Sequence, residues 1–287
     1  MKKLFYCILT LGILFFSCKS KGTVTLGSLN TDDVLTISEI YAEVLEKAGY
    51  KLVRSYDFGD IETLHAAILD GKIDIGPEWT GAALTKVLKA PRSGDQYGTY
   101  SALSVRYREL GLALLEPLPA DNHWTLAVLQ ETADSKGMKT FNDVKRAAPG
   151  LVLAVPAEFH NDGEGLPLLE EIYGAFDFKE IKIVPEKEQH QLLRDKIAGV
   201  ITLRANDGHF ADVGYKALRD NFHAFVPQNL VPAAKAEFLE SHADIRPVLN
   251  AVSASLNDRV VIGLNDRTLV QKTPYAKTAK DYLKEQR

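Results

Sequence analysis

The sequence predicts an α/β protein composed of two lobes. From Thr23 onward, segments with the alternating pattern of strands are followed by segments whose apolar residues recur at helical spacing. This order of elements is typical of a largely parallel sheet covered by helices. The pattern restarts after Pro117 and Pro119, and a chain of 287 residues is long enough for about two domains. We therefore expect a second α/β lobe after these prolines.

The first lobe should begin with a strand and an amphipathic helix. Residues 23–27 (TVTLG) alternate as a strand does, and residues 33–48 carry apolar side chains at helical spacing up to Gly49, which ends the helix. Further elements of this lobe are predicted as strands at residues 51–56 and 73–76 and as helices at residues 61–69 and 80–88.

The second lobe is predicted from a new series of strands and helices. Its strands are expected at residues 124–129, 151–155, 181–184 and 199–203, and its helices at residues 141–147, 166–173 and 188–196. The last third of the chain has a strand candidate near residues 222–226 and helices at residues 234–241, 245–253 and 276–285. Because this helical tail has no sheet of its own, we expect the chain to return to the first lobe. The lobes would then be residues 22–120 with 207–287, and residues 121–206.

The N-terminus is predicted to be an export signal with a lipid attachment site. Lys2 and Lys3 precede an apolar run, residues 4–16, that is too short to span a bilayer comfortably. Ser17-Cys18 follows, and this junction resembles the cleavage site of bacterial lipoproteins, in which Cys18 becomes the acylated first residue. Residues 1–17 would be a signal peptide and residues 18–22 a polar tether. An uncleaved anchor and soluble export are the alternatives.

Composition argues against several classes of protein. The formal net charge of −4 becomes more negative without Lys2 and Lys3, so a nucleic-acid partner, which requires a basic face, is not expected. Of the two cysteines, Cys7 lies in the signal segment, so the mature chain keeps only Cys18 and forms no internal disulfide. The sequence contains no G-x-S-x-G elbow, so no catalytic nucleophile stands out. It also contains no G-x-x-x-x-G-K-[ST] phosphate loop, which argues against an ATPase subunit. We expect no cofactor.

A metal site is not expected either. The seven histidines show no metal-ligand spacing such as H-x-x-x-H. Two short segments, His160-Asn161-Asp162 and Asp207-Gly208-His209, carry nitrogen and oxygen ligands that could meet across a cleft between the lobes. These segments are the metal candidates that the sequence offers.

Two polar segments lie where a strand passes into a helix. Asn30-Thr31-Asp32 and Glu78-Trp79-Thr80 occupy such turns, and ligands of α/β sheets bind beyond the carboxyl ends of strands, near helix N-termini. Thr31 and Thr80 are therefore candidates for ligand contacts, while the alternative is that both residues only cap helices. Trp79 and Trp124 are the two tryptophans, and a tryptophan in such a domain is by default a core residue.

Long stretches of the sequence resemble a known family. GSLNTDDVLTISEIYAEVLEKAGY (residues 27–50) and IETLHAAILDGKIDIGPEWTGAAL (residues 61–84) are similar to the osmoprotectant-binding proteins of ABC importers, the glycine betaine/choline/carnitine group. Further matching stretches are DNHWTLAV (residues 121–128), PAEFHNDGEGLPLL (residues 156–169) and VPQNLVPAAKAEFLESHADI (residues 226–245). The resemblance implies a two-lobed periplasmic-binding fold, type II-like, with a ligand cleft between the lobes. It also implies an extracytoplasmic, monomeric protein that works with an ABC permease and its ATPase subunit.

The resemblance also implies where the ligand binds. Trp79 and Trp124 stand where the family usually has tyrosines of an aromatic cage, one from each lobe, and such rings hold a quaternary ammonium through cation–π attraction. His190 and Arg204 replace two other rings of this cage. Asp162 stands where an arginine is common. We therefore expect Arg204 to meet a carboxylate or phosphate and Asp162 to meet an amine, unless both are solvated edge residues.

Together these patterns predict a lipid-anchored solute-binding protein and not an enzyme. The ligand would be a small quaternary-ammonium or zwitterionic compound, bound by Thr31, Trp79, Thr80, Trp124, Asp162, His190 and Arg204. The alternative is a lipid-anchored hydrolase or other enzyme in which Glu78, His160 or His190 acts as an acid–base group. A sensor or interaction lipoprotein is a third interpretation.

Overall fold

The computed structural model describes residues 21–286 of the chain. The predicted signal peptide and Cys18 lie outside the described residues, and so does most of the tether. Residues 21–286 form two five-stranded sheets with helices around them, which confirms the α/β class predicted from the sequence. No helix in residues 21–286 is both long enough and apolar enough to cross a membrane.

Ten strands and thirteen α-helices make up the described part of the chain. The strands are β1 (Thr23–Leu29), β2 (Lys51–Phe58), β3 (Ile75–Trp79), β4 (Leu112–Leu114), β5 (Trp124–Leu129), β6 (Val152–Val155), β7 (Glu180–Ile183), β8 (Val200–Arg204), β9 (Tyr215–Ala217) and β10 (Leu230–Lys235). The helices are α1 (Asp32–Lys47), α2 (Ile61–Leu69), α3 (Thr80–Ala82), α4 (Gln96–Glu109), α5 (Gln130–Lys136), α6 (Phe141–Ala147), α7 (Ala157–Asn161), α8 (Leu166–Tyr173), α9 (Glu186–Arg194), α10 (Ala236–Ser241), α11 (Ile245–Ser255), α12 (Asp258–Asn265) and α13 (Tyr275–Glu285). Short π-helical turns at Ala83–Val87 and Asp266–Val270 extend α3 and α12, and 3₁₀ turns lie at Ala148–Gly150 and Gly208–Ala211.

The first lobe is organised around β1 and α1. The first sheet has the order β2-β1-β3-β10-β4. In it β1 is parallel to β2 and β3, and β10 is antiparallel to β3 and β4. Alternate residues of β1, such as Val24 and Leu26, are fully buried, as the sequence pattern predicts. Acidic side chains in the first turn of α1 and Lys47 in its last turn complement the helix dipole. Gly49 follows α1 with a φ of 100°, a conformation that favours glycine.

The second lobe has a mixed sheet of order β7-β6-β8-β5-β9. β6 is parallel to β7 and β8, while β5 is antiparallel to β8 and β9. Phe141, Phe159 and Leu169, from three different helices, are buried over one face of this sheet with Leu153. β5 lies between two antiparallel neighbours, β8 and β9. Its first residue, Trp124, lies at the end of the strand, opposite Arg204 of β8.

The chain returns to the first lobe later than the sequence predicts. The predicted boundary is residue 207, but β9 pairs with β5, and Leu218 and Phe225 are buried in the core of the second lobe. The return comes just before β10, which lies between β3 and β4 of the first sheet. Residues 222–226, predicted as a strand, form a loop. The short β9 has only three residues and two of them are exposed, so its apolar pattern is too weak to be recognised in the sequence.

Helices at the C-terminal end of the chain cover the first lobe, as predicted. α11 and α13 pack against α1, where the Tyr41 hydroxyl lies 2.8 Å from the Ser253 hydroxyl. α4 was not predicted, because its buried residues, Thr99, Leu103 and Tyr107, are few and partly polar. Residue 234, predicted as the start of a helix, belongs instead to β10. The run of small apolar residues in β10 is buried in the centre of a sheet, and such a run does not distinguish a strand from a helix.

A polar network lies inside the first lobe. Glu78, fully buried on β3, accepts a 2.6 Å hydrogen bond from the Tyr107 hydroxyl, and the His65 Nδ1 lies 3.1 Å from its other carboxylate oxygen. The His65 Nδ1 and the Tyr107 hydroxyl are 3.0 Å apart. Burial, followed by the charge of Glu78, raises the pKa of Tyr107 well above its usual value, so this hydroxyl stays a donor. The network joins α2, β3 and α4.

Removal of one donor should destabilise this network. We expect Tyr107→Phe to lower the free energy of unfolding by about 1.5–3 kcal/mol, because the carboxylate of Glu78 loses a charge-assisted hydrogen bond in a buried place. Urea unfolding of the purified protein measures the change. The matched control is Tyr97→Phe, since Tyr97 is 81% exposed. Equal stability of Tyr107→Phe and the wild type would contradict this account of the network.

A second network fixes the two chain segments that connect the lobes. The Asp121 carboxylate accepts hydrogen bonds from the backbone N–H groups of His123 and Gln228, and the His123 ring lies 3.1 Å from its other oxygen. Desolvation alone would raise the pKa of Asp121, but the bonds from His123 hold it below its usual value. Burial disfavours the charged form of His123, but the hydrogen bond to Asp121 and the charge of that carboxylate raise the pKa of the His123 ring above its usual value.

The connection between the lobes should therefore be most stable in mildly acidic solution. Because the pKa of His123 is raised on folding, its stabilisation is complete below about pH 6.5 and is lost as the pH rises through the folded-state pKa. Because the pKa of Asp121 is depressed on folding, its stabilisation is present at higher pH and is lost below about pH 4. We expect the wild type to exceed His123→Gln in unfolding free energy most clearly at about pH 5 and least at pH 9, in urea unfolding. His223→Gln, at an exposed histidine, is the control. A difference that grows between pH 5 and pH 9 would disprove the interpretation.

Candidate ligand-binding cleft

A cavity of about 480 Å³ lies between the two lobes. It is lined by the carboxyl ends of β1 and β3 and the starts of α1 and α2 from the first lobe. The second lobe contributes the start of β5, the end of β8 and the segments around α7 and α9. Strand ends and helix starts meet here because each parallel strand passes directly into a helix, which is the usual place for ligands in α/β sheets.

Thr31 lies on the wall of the first lobe. It precedes α1 with an extended backbone, and its side chain makes no capping hydrogen bond. The residue is exposed and lines the cavity. The geometry therefore favours the ligand-contact interpretation of Thr31 over the capping one.

Trp79 and Thr80 follow one another in the chain but have different surroundings. Trp79, the last residue of β3, is half-buried and lines the cavity. Thr80 is buried and does not line the cavity, contrary to its prediction as a ligand contact. Its hydroxyl donates to the carbonyl of Pro227 and accepts from the backbone N–H of Asn229. Thr80 thus holds the returning chain, and its single hydroxyl proton is already donated.

Trp124 and Arg204 form one unit on the wall of the second lobe. They are directly opposite each other in the antiparallel pair of β5 and β8, and the Arg204 guanidinium lies 3.6 Å from the centre of the Trp124 ring. Cross-strand neighbours on one face are close enough for such a contact. The Trp124 ring also meets the Phe159 ring edge-on, with centres 5.3 Å apart, and Trp124 is only 8% exposed. Both residues line the cavity, but one face of the tryptophan is occupied by the arginine.

Arg204 is held between a ring and a carboxylate. A terminal nitrogen lies 3.3 Å from Glu158 Oε1, and the residue is partly exposed toward the cavity. Desolvation lowers the pKa of Arg204, and the surrounding carboxylates, with Glu158 first, oppose this shift. The side chain therefore keeps its charge and presents it to the cavity, as the sequence predicts for a residue that meets an anionic group.

Asp162 already has a cationic partner. Lys86 Nζ, from the π-helical turn of the first lobe, lies 3.0 Å from Asp162 and 3.6 Å from Glu164, both on the second lobe. Desolvation acts in the opposite direction, but hydrogen bonds from the Glu164 N–H and from Lys86 hold the pKa of Asp162 below its usual value. Lys86, which the sequence did not single out, thus bridges the two walls of the cleft. Because Lys86 and Asp162 are far apart in the sequence, no local sequence pattern predicts that they pair.

His190 lies behind the cavity wall and does not line it, contrary to its prediction. Its ring stacks on the His209 ring with centres 3.5 Å apart, and it is buried on α9. Burial, followed by the charge of His209, lowers the pKa of His190 to about 4. None of the three groups named for acid–base work, Glu78, His160 and His190, lines the cavity, and this geometry does not support the enzyme interpretation.

The two segments that the sequence offers as metal-ligand candidates form no joint ligand cluster among the described residues. His160 bonds to Asn161, and Asp162 pairs with Lys86. Among the described residues, His190, Asp207 and His209 have ligand atoms within 4.8 Å of one another. The two imidazole planes are inclined by only 19°, so their nitrogen lone pairs, which lie in the ring planes, do not converge on one point.

The cavity walls are rich in acidic residues that the sequence analysis did not single out. Nine carboxylates line the cavity, against two permanent cations, Lys86 and Arg204. The acids are Asp32, Asp33, Asp60, Glu62, Glu158, Asp162, Glu164, Glu186 and Asp207. Several lie in first helical turns, where acidic residues are common for reasons of helix stability alone. Their convergence depends on the packing of the two lobes, and therefore no local pattern reveals it.

Comparison with known proteins agrees with this architecture. Residues 22–285 match the family model of the substrate binding domain of ABC-type glycine betaine transport systems. The glycine-betaine-binding protein of Pseudomonas aeruginosa is 24% identical over 97% of this chain and 93% of its own. The glycine betaine-binding protein YehZ of Escherichia coli is 27% identical over 91% of this chain and 90% of its own.

A solved structure confirms the two-lobed fold. A glycine betaine/carnitine/choline ABC transporter structure superposes with a TM-score of 0.85 at 21% identity, covering 92% of this chain and 97% of that one. This structural similarity supports the fold. The match to the family model covers nearly all of the described residues. The chain belongs to the family of substrate-binding domains of ABC-type glycine betaine transport systems.

Proposed function

We propose that this protein is an extracytoplasmic, lipid-anchored solute-binding protein that captures a small quaternary-ammonium or zwitterionic compound and delivers it to an ABC permease with its ATPase subunit. The observation that carries the proposal is the cavity between the lobes, with Trp79 on one wall and Trp124 with Arg204 on the other. A volume of about 480 Å³ suits a small molecule. The protein acts as a monomer, with the membrane reached only through the lipid on Cys18.

The ligand is held by closure of the lobes around it. The walls belong to separate sheets joined by two chain crossings near residues 121 and 229, which is the arrangement of a hinge. Lys86 pairs with carboxylates of the opposite lobe and so supports the closed form. A ligand that contacts both walls shifts the equilibrium toward closure, because it gains its full contacts only there.

A zwitterion fits the charges of the cleft better than a simple cation. Arg204 offers guanidinium donors to a carboxylate, and Thr31 lies on the facing lobe at the start of α1. The half-buried Trp79 ring offers a face to a cationic or aromatic end. Carnitine and ergothioneine have both kinds of group, whereas choline has no carboxylate.

The first test of this function compares zwitterions with choline. We expect zwitterions to bind more tightly than choline, and Arg204→Ala to cost the zwitterions about 1.5–3 kcal/mol through the loss of a charge-assisted hydrogen bond. Choline should lose little, because the substitution also uncovers the Trp124 ring. Titration followed by tryptophan emission measures both affinities, with Arg259→Ala at an exposed arginine as the control. If choline binds as tightly as every zwitterion, or loses as much on Arg204→Ala, Arg204 does not contact the ligand.

The second test addresses the anchor. We expect Cys18→Ser to abolish lipidation and release the protein from the membrane fraction, since each buried CH₂ of an acyl chain contributes about 0.8 kcal/mol. Cys7→Ser, within the predicted signal segment, should leave lipidation unchanged. Membrane fractionation and mass spectrometry of the N-terminal peptide give the result. An intact, unmodified Cys18 in the wild-type protein would show that the anchor is not attached there.

A further inference from the structure

A short turn of the second lobe packs directly on the first lobe. The 3₁₀ turn Gly208–Ala211 lies between β8 and β9, which both pair with β5, and Phe210 packs against the core of the second lobe. On its other side the turn meets α12 and the π-helical turn that follows α12 in the first lobe. The side-chain amide of Asn265, at the end of α12, donates to the carbonyl of Asn206, 2.8 Å away, and both residues are buried. The lobes therefore touch at a place away from the two chain crossings.

Gly208 allows the backbones of the two lobes to approach closely at this place. A Cβ atom on Gly208 would lie 2.6 Å from the carbonyl carbon of Asn265 and closer still to the backbone nitrogen of Asp266. Non-bonded carbon atoms prefer a separation of about 3.5–4.0 Å. The φ of Gly208 is not positive, so the turn itself does not require glycine. The glycine is required by the contact with the other lobe.

Helix α12 connects this contact with one of the crossings. Its first residue, Asp258, accepts a 3.0 Å hydrogen bond from the backbone N–H of Asp121, and Asn265 is its last residue. A helix of eight residues is about 12 Å long, so the contact lies at a distance from the axis on which the lobes turn. Asn206 and Asn265 both line the cavity. A rotation about the crossings that widens the cavity therefore moves the two sides of the contact apart.

We infer that the contact of Gly208 with Asn265 and Asp266 forms when the lobes close and retains the ligand in the cleft, which makes Gly208 a positioning residue. This inference rests on the proposed solute-binding function. Gly208 does not line the cavity, so it acts through the position of the lobes and not by touching the ligand. The backbone N–H of Asp207 donates to the carbonyl of Arg204, 3.0 Å away, so a ligand that binds Arg204 also fixes the segment that carries Gly208.

The first experiment measures binding of glycine betaine and carnitine to the full-length protein in detergent. We expect Gly208→Ala to weaken binding about tenfold or more, because the apparent affinity falls with the fraction of closed protein. Most of the loss should appear in the dissociation rate, followed by tryptophan emission in stopped flow. The matched control is Gly150→Ala. Gly150 ends another 3₁₀ turn of the second lobe, its φ is not positive, and an added Cβ atom meets nothing within 4 Å.

The second experiment follows both sides of the contact by hydrogen exchange and mass spectrometry, with and without the two solutes. Gly208→Ala should raise exchange in segment 264–270 of the first lobe about threefold or more, because the contact that covers this segment is lost. Asn265→Ala, which removes the hydrogen bond without added bulk, should raise exchange in segment 206–212 of the second lobe. Gly150→Ala should change neither segment.

The outcomes separate the contact from the solute-binding function. If Gly208→Ala binds the solutes as the wild type does, or leaves exchange in segment 264–270 unchanged, the inference is overturned while the function stands. If neither solute binds the wild type but Gly208→Ala raises exchange in segment 264–270, the contact is supported and the proposed ligand class fails. Raised exchange in β6 and β8 as well would show that Gly208 serves the fold of the second lobe, which also overturns the inference. If Gly208→Ala does not fold, Asn265→Ala decides from the opposite lobe.

Discussion

The whole arrangement depends on the hydrogen bonds that join the two chain crossings between the lobes. Asn229, buried on the returning segment, donates from its side-chain amide to the carbonyls of Leu118 and Ala120 on the outgoing segment. Asp121 and Asn229 form an isolated antiparallel bridge, and the Asp121 carboxylate accepts from the N–H of Gln228. These bonds use main-chain groups that would otherwise be buried without partners. Because both crossings are held together, the lobes keep one common edge, and their strand ends face each other across the cleft.

This constraint explains why adjacent residues of one motif have different roles. In the Glu78-Trp79-Thr80 segment, the side chains point in alternate directions at the end of β3. Glu78 lies in the core network, Trp79 reaches the cavity, and Thr80 bonds to the returning chain. The motif is distinctive in sequence because it serves core, ligand and hinge at once. Only one of its three side chains is available to a ligand.

The sequence was sufficient for the fold class, most elements and the assignment of Trp79 and Trp124 to opposite walls. Predicted helix 61–69 coincides with α2, because the apolar spacing and the Asp60 cap are both local. Elements with weak local patterns, such as α4 and β9, were missed. Site contacts that span long stretches of chain were missed for the same reason. The pairing of Lys86 with Asp162, and the stacking of Arg204 on Trp124, arise from lobe packing and strand register, and neither has a signal at its own position.

The position of His190 shows the limit of transferring a site residue by resemblance. It was placed in the cage because of its position along the chain, yet its ring is stacked on His209 behind the wall. The cleft surface in this region is formed instead by Asp207 and Glu186, which follow no aromatic pattern. A wall of carboxylates and a wall of rings both attract a cation, but by different physics. Rings act on any cation through the quadrupole, whereas carboxylates favour cations that donate hydrogen bonds.

The same carboxylates bear on the equilibrium between open and closed lobes. Asp33 and Glu186 carry like charges on opposite walls, but the charge of Arg204 acts on Glu186 more strongly than that of Asp33, so their repulsion favours separation of the lobes only weakly. The Lys86 pairs with Asp162 and Glu164 act in the opposite direction. Partly exposed pairs of this kind contribute at most about 1 kcal/mol each, so they do not fix the closed form alone. A ligand that contacts both walls adds interactions that are complete only when the lobes are closed, and their free energy therefore favours closure.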